Sequence, residues 1–262
     1  MSRAGAFLRL GAFGALTAAG IPVQWLLLKT GLPGSRSVPL VYHRALCRVL
    51  RVRRTVSGAP ATQRPLLLTA NHVSWLDIVV LSAVLPVSFV AKSEVGGWPV
   101  FGLLARLQRT IFVDRTRRSA TRETTAEMAE RLSGGDAIVL FAEGTSSDHN
   151  RTLPFRSALL GAAREAVTAG GEGCVWVQPV SITYTGWNGV GMGRFWRPRV
   201  AWYGDMTLPP HLWDLMKRGR LAVTVSFGAP NTVDQRSDRK AVARQLETEV
   251  RSMTRTARNG TA

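Results

Sequence analysis

A chain of 262 residues fits one domain with an appended segment. It carries 34 lysines and arginines against 17 aspartates and glutamates, a formal charge of +17 at pH 7, with only four lysines among the basic residues. Genome composition contributes to so skewed a ratio. The remaining excess favours an anionic partner, whether a phospholipid surface, an acidic carrier protein or nucleic acid, and the last is disfavoured because no zinc-finger, basic-zipper or RNA-recognition pattern is present.

Residues 10–28 form a 19-residue stretch without charge, flanked by Arg3, Arg9 and Lys29. That length can cross the hydrocarbon core as a helix. Pro22, Gln24 and Gly11, Gly14 and Gly20 make a re-entrant or interfacial segment a fair competitor, and a cleaved signal peptide is the lesser alternative. Positive flanks on both sides leave the orientation undetermined. In the helix expected over 39–54, Arg44, Arg48 and Arg51 share one face while Leu46, Val49 and Leu50 lie largely on others. This is the profile of a helix lying on an anionic membrane, with a solvated surface helix as the plainer reading.

Residues 53–64, rich in Gly, Pro, Ser and Thr, mark the best boundary. Beyond them strands and helices alternate. A strand is expected over 65–70, a helix over 75–85, a strand over 87–91 and a helix over 99–107. Strand 111–114, helix 120–132, strand 138–142 and helix 157–169 follow. The remainder reads as strands over 174–184 and 199–203, a helix over 211–218, a strand over 221–227 and a last helix over 239–253. Such alternation predicts an α/β fold with a mostly parallel central sheet flanked by helices, behind an N-terminal membrane-associated helical segment. The expected organisation is membrane-associated helices over 1–58, a catalytic domain over 59–254 and a disordered tail over 255–262.

The chemistry concentrates in Asn71-His72-Val73-Ser74-Trp75-Leu76-Asp77, just after an apolar strand. On an ideal helix, positions five apart diverge by about 140°, so His72 and Asp77 cannot share a helical face. They can converge if His72 lies in the turn and Asp77 in the first helical turn, with Ser74 as N-cap. A neutral imidazole there can take a proton from a hydroxyl while a carboxylate fixes its tautomer. The plainer reading is that Ser74 and Asp77 only cap the helix. A second block, Phe141-Ala142-Glu143-Gly144-Thr145-Ser146-Ser147, ends another buried strand. Glu143 is expected to face the cleft, Gly144 to permit a tight turn, and Thr145 to Ser147 to offer hydroxyls and N–H groups. Arg115 ends the intervening strand, where its planar fork suits an anionic group. A cap or ion pair for Glu143 and a solvated charge for Arg115 are the alternatives.

The order His72-x4-Asp77, a strand ending in Arg115, Phe141-x-Glu143-Gly144-Thr145, and the proline-bearing strand Val177-Gln178-Pro179-Val180 resembles the glycerolipid acyltransferase family of the lysophosphatidate type, over roughly residues 65–185. The segment Phe89-Val90-Ala91-Lys92-Ser93-Glu94, with Pro99 and Gly102 after it, adds to the likeness. The resemblance implies His72 as base, Asp77 as its partner, Arg115 near an anionic group, and Glu143, Gly144, Thr145 and Ser146 around the acceptor. The family block often has arginine where this chain has Ser146, and Asp148 adds a carboxylate that disfavours a phosphate dianion. In Glu143-Gly144-Thr145-Ser146-Ser147-Asp148 and the later Leu153-Pro154-Phe155-Arg156-Ser157 the chain looks like lyso-ornithine-lipid acyltransferases.

The resemblance therefore implies an O-acyltransferase of membrane lipid biosynthesis, on the cytoplasmic face of the inner membrane. It would move a fatty acyl group from acyl carrier protein or coenzyme A thioester to a lysolipid hydroxyl, with lyso-ornithine lipid favoured. The alternatives are a 1-acylglycerol-3-phosphate acyltransferase making phosphatidate, a lipid hydrolase, and a non-catalytic peripheral membrane-binding protein. No cofactor or metal is expected, since thiolate leaves readily and four scattered histidines lack zinc-like spacing. Cys47 and Cys174 read as small buried hydrophobes, and neither a Gly-x-Ser-x-Gly elbow nor a Walker-type loop is present.

Overall fold

The computed structural model describes residues 3–113, 118–158, 160–161 and 173–260. Two helices, α1 (Arg3–Thr30) and α2 (Ser37–Val49), precede the strand β1 (Val52–Ser57). Then come β2 (Leu66–Ala70), α3 (Leu76–Ser82), β3 (Ser88–Lys92), α4 (Phe101–Leu107), β4 (Ile111–Val113), α5 (Arg118–Ser133) and β5 (Ala137–Phe141). The C-terminal part holds β6 (Cys174–Trp187), β7 (Val190–Gly191), α6 (Leu208–Lys217), β8 (Leu221–Phe227), β9 (Asn231–Asp234) and α7 (Arg239–Asn259).

Among the described residues the strands form one sheet in the order β1-β8-β6-β2-β5-β3-β4, with β7 and β9 also paired to β6. Five pairings are parallel, and the three antiparallel ones all involve β6, so the α/β expectation of a mostly parallel sheet holds. β2 is buried at all five positions, as a strand covered on both faces must be. Its side chains alternate between two cores: Leu66, Leu68 and Ala70 join one with residues of α2 and α3, and Leu67 joins the other with residues of α5 and α7. β6 runs on past the last β2 pairing, Ala70 with Val180, to Trp187. That overhang brings its second half alongside the loop at the end of β2.

α1 is long and apolar enough to cross a membrane, and only 11% of its apolar window is buried in the protein. One side is fastened to the domain. Gln24 Nε2 donates to Ser35 O and Leu107 O, both at 2.9 Å, Thr17 Oγ1 meets Tyr42 OH at 2.9 Å, and Phe7 packs on Trp213 with ring centres 4.9 Å apart. The other side exposes Leu8, Val23, Trp25 and Leu26, an apolar face fit for association with a membrane.

Several boundaries differ from expectation. The helix expected over 39–54 stops at Val49, because Arg51 adopts a φ of +59° and turns the chain into β1. β1, read as boundary, is a sheet strand beside β8; the polar run Arg53-Arg54-Thr55 between Val52 and Val56 hid it. No strand forms over 199–203: Arg197–Arg199 make a single 3-10 turn with Pro198 inside, and Trp202 N–H is taken by Val73 O at 2.9 Å. The tail expected to be disordered is helical to Asn259, since Thr254 and Ala257 are buried and Gly260 supplies the left-handed C-cap. The short β9 was not foreseen, and the helix expected over 157–169 falls mostly outside the described residues.

Candidate active site

The loop after β2 starts on a fixed seat. Asn71 Nδ2 donates to Ile182 O at 3.0 Å and its Oδ1 accepts from Ile182 N at 2.8 Å, so the side chain continues the β2–β6 ladder by one rung. His72 follows. Its main-chain N–H donates to Glu143 Oε1 at 3.1 Å, and its carbonyl accepts from Ser147 N at 2.9 Å and Ser147 Oγ at 3.3 Å. The ring stacks on Phe141, centre to centre 4.0 Å. The backbone and the ring plane are thus both held.

His72 Nδ1 lies 2.8 Å from Asp77 Oδ2. The same oxygen accepts from Val73 N at 2.6 Å and Ser74 N at 2.9 Å. The convergence runs through the turn, as helical geometry required. Ser74 does not cap the helix, however: its Oγ is buried and has no partner among the described residues, and Asp77 caps in reverse by accepting the loop N–H groups. Asp77 is fully buried, and its second oxygen accepts from Tyr184 OH at 2.8 Å. A carboxylate with this set of donors stays oriented, and it keeps the imidazole proton on Nδ1. Nε2, which makes no hydrogen bond among the described residues, is left with its lone pair on a side chain 19% exposed.

Tyr184 was not singled out from the sequence, because an aromatic in an apolar strand reads as core. Burial first, and then the charge of Asp77, raise its pKa well above the ordinary phenol value, so it remains a donor. Its own N–H is accepted by His149 Nε2 at 3.3 Å. Burial holds His149 neutral, with a pKa lowered to about 3.

Glu143 is placed differently from expectation. It does not face the cleft: the side chain is 2% exposed, and while Oε1 holds His72 N–H, Oε2 accepts from Leu153 N at 3.1 Å. β5 ends one residue before Ala142, and the turn points the carboxylate inward, where it ties the His72 loop to the segment that follows. Burial raises its pKa to about 8, against the two N–H bonds that favour the charged form. Gly144, with φ of +70°, makes the tight turn expected of it, closed by Gly144 N–H to Phe141 O at 3.0 Å. Thr145 is exposed beyond that turn. Ser146 Oγ donates to Trp202 O at 2.5 Å. Asp148 folds back on its own loop, accepting from Asn150 N at 2.9 Å and Asn150 Nδ2 at 3.2 Å, and Arg258 of α7 donates to the carbonyls of His149 and Asn150. Arg115 lies outside the described residues. Among the described residues no group of three His, Cys, Asp or Glu side chains is arranged to hold a metal ion.

A histidine whose Nε2 makes no hydrogen bond among the described residues, with a buried carboxylate behind it, makes a general-base site at the end of an α/β sheet. The chain belongs to the acyltransferase family, whose model matches residues 52–183. It is 50% identical to a lyso-ornithine lipid O-acyltransferase of Brucella abortus (strain 2308), over 96% of this chain and 94% of that one. A protein of the same description from Rhizobium meliloti (strain 1021) is 47% identical over 89% of this chain and 80% of its own length. A 1-acyl-sn-glycerol-3-phosphate acyltransferase of Neisseria meningitidis serogroup B is 32% identical, covering 85% of this chain and 83% of the relative. The fold matches the crystal structure of the 1-acyl-sn-glycerophosphate acyltransferase PlsC from Thermotoga maritima, with a TM-score of 0.64 and 21% identity over 100% of this chain and 98% of that one.

Proposed function

We propose that the enzyme moves a fatty acyl group from a thioester to the free hydroxyl of lyso-ornithine lipid. The 2.8 Å contact between His72 Nδ1 and Asp77 Oδ2 carries the chemistry. Nε2 removes the proton from the acceptor hydroxyl as its oxygen attacks the thioester carbonyl, and Asp77 stabilises the imidazolium that forms. The tetrahedral oxyanion collapses, the carbon–sulfur bond breaks, and Nε2 returns the proton to the departing thiolate. No covalent enzyme intermediate is required. Glu143 holds the His72 loop, Gly144 and Thr145 shape the acceptor side, and Arg115 binds an anionic part of acceptor or donor.

The head group is read from two supports. The relatives 50% and 47% identical carry the lyso-ornithine description, and Ser146 stands where phosphate-binding relatives often carry arginine. The Ser146 hydroxyl is committed to Trp202 O, so this position brings no positive charge. Asp148 is likewise held within its own loop; it contributes a fixed negative field rather than a direct contact. The donor is acyl carrier protein or coenzyme A thioester; both are anionic, so the basic surface suits either. α1 holds the enzyme at the cytoplasmic face of the inner membrane, where acyl donors are made.

The test is a parallel incubation of detergent-solubilised enzyme and acyl thioester with lyso-ornithine lipid and with lysophosphatidate. The proposal expects the higher kcat/KM for lyso-ornithine lipid. A preference for lysophosphatidate keeps the chemistry and rejects the head-group assignment in favour of phosphatidate synthesis.

A further inference from the structure

We propose that residues 190–199 form a second membrane-docking element, an arginine–aromatic patch that seats on an anionic lipid surface beside the active site.

The segment is unusually apolar for an exposed loop. Phe195 is 73% exposed, Val190 71% and Trp196 46%. Large apolar side chains exposed together in one short segment mark a contact surface. The rings form a cluster that reaches outward from Trp187, which packs on the core: Phe195 and Trp196 meet edge-on at 5.4 Å, and Trp196 meets Trp187 at 6.5 Å. Guanidinium groups lace it together. Arg199 lies 4.6 Å from the Trp196 ring centre, and Arg218, the C-cap of α6, lies 5.1 Å from that of Trp187. No acidic residue occurs between 188 and 204, while Arg194 and Arg197 add to the positive charge.

Both halves of this chemistry fit a lipid head-group layer. Tryptophan and phenylalanine gain by entering the boundary between head groups and acyl chains, and each cation near an anionic leaflet adds to the attraction. An acidic carrier protein would satisfy the arginines but leave Val190 and Phe195 exposed, so lipid is the better partner.

Position adds the purpose. The patch is linked to α1 through α6: Phe7 packs on Trp213, Arg9 donates to Met216 O, and Arg218 covers Trp187. On its other side the chain runs straight back to the site, where Trp202 N–H reaches Val73 O and Ser146 reaches Trp202 O. A single helix in the interface leaves the domain free to roll about the helix axis. A second contact removes that freedom and fixes how the His72 site meets lipid leaving the bilayer.

The first test needs no turnover, so it is independent of the acceptor assignment. Phe195→Cys in the full chain carries an environment-sensitive fluorophore. Cys174 is replaced by alanine, and Cys47 is left because it is buried and its thiol is pushed up to about 11. The probe is read on phosphatidylcholine vesicles with and without phosphatidylglycerol. Docking shifts its emission to the blue on the anionic vesicles, and salt reverses part of the shift. Emission that stays aqueous on both vesicles overturns the proposal, as does a blue shift produced only by acyl carrier protein without vesicles. In addition, Phe195→Ser with Trp196→Ser should lower turnover roughly tenfold on anionic vesicles and leave it near the parent value in detergent micelles; an equal loss in both media also overturns it.

Discussion

Tyr184→Phe removes one oxygen atom from a fully buried strand residue and nothing from the cleft. Asp77 Oδ1 then loses the 2.8 Å bond from the phenol, in a place with no exposure to water. A hydrogen bond to a charged group contributes about 1.5–3 kcal/mol, so unfolding should become easier by an amount in that range. The catalytic effect is smaller and specific. Asp77 keeps its bonds to His72, Val73 and Ser74 through Oδ2 but loses the contact that sets its rotation. If half of the bond is felt at the imidazolium in the transition state, kcat falls roughly 4- to 13-fold. The acceptor KM should stay near the parent value, since Tyr184 touches no substrate. Steady-state kinetics in micelles with varied acceptor, beside thermal unfolding, measures both. A folded variant with kcat within about twofold of the parent would refute the positioning role, and so would a raised KM with kcat intact.

His72→Ala should abolish turnover while the protein stays folded and membrane-bound; residual turnover above a few per cent of the parent would leave the base unassigned. Ser146→Arg breaks the bond to Trp202 O and adds a cation beside the acceptor, so kcat/KM should shift toward lysophosphatidate; an unchanged ratio removes Ser146 from the specificity argument. Glu143→Gln sets an amide NH2 against one of the two N–H donors, which should lower stability and kcat more than it raises KM. The pH dependence is its signature. Below the ordinary carboxylate range Glu143 is protonated both folded and unfolded, and as pH rises toward about 8 the unfolded chain ionises first, so the parent loses stability that the variant does not. The gap in Tm between parent and variant should therefore narrow from pH 5 to pH 8; a constant or widening gap contradicts a buried carboxyl with a raised pKa.

The parts of the site readable from sequence are those that local geometry determines. His72 and Asp77 had to meet through a turn because a helix would splay them, and they do. Gly144 had to bend the chain after a strand, and its positive φ shows that it does. The direction of the Glu143 side chain was not readable, since it depends on N–H donors at His72 and Leu153, supplied by two different loops. Tyr184 was hidden for a related reason: its partner is 107 positions away, and only the overhang of β6 past β2 brings them together. In the fold, long apolar runs such as β2 and β5 were legible, while β1 was not. Four of its six residues are polar and only Val52 is buried, and it sits in a stretch of loop-like composition. The extension of α7 rests on Thr254 and Ala257 packing inward, a tertiary contact that the polar tail conceals.

The most direct measurement follows the label from an acyl thioester through purified enzyme supplied with lyso-ornithine lipid, in parallel with His72→Ala protein and with acceptor omitted. The account predicts labelled diacyl ornithine lipid from the parent alone, and only when acceptor is present. Labelled free fatty acid without acceptor would mark a lipid hydrolase, and acylated product from the His72→Ala protein would contradict a histidine base.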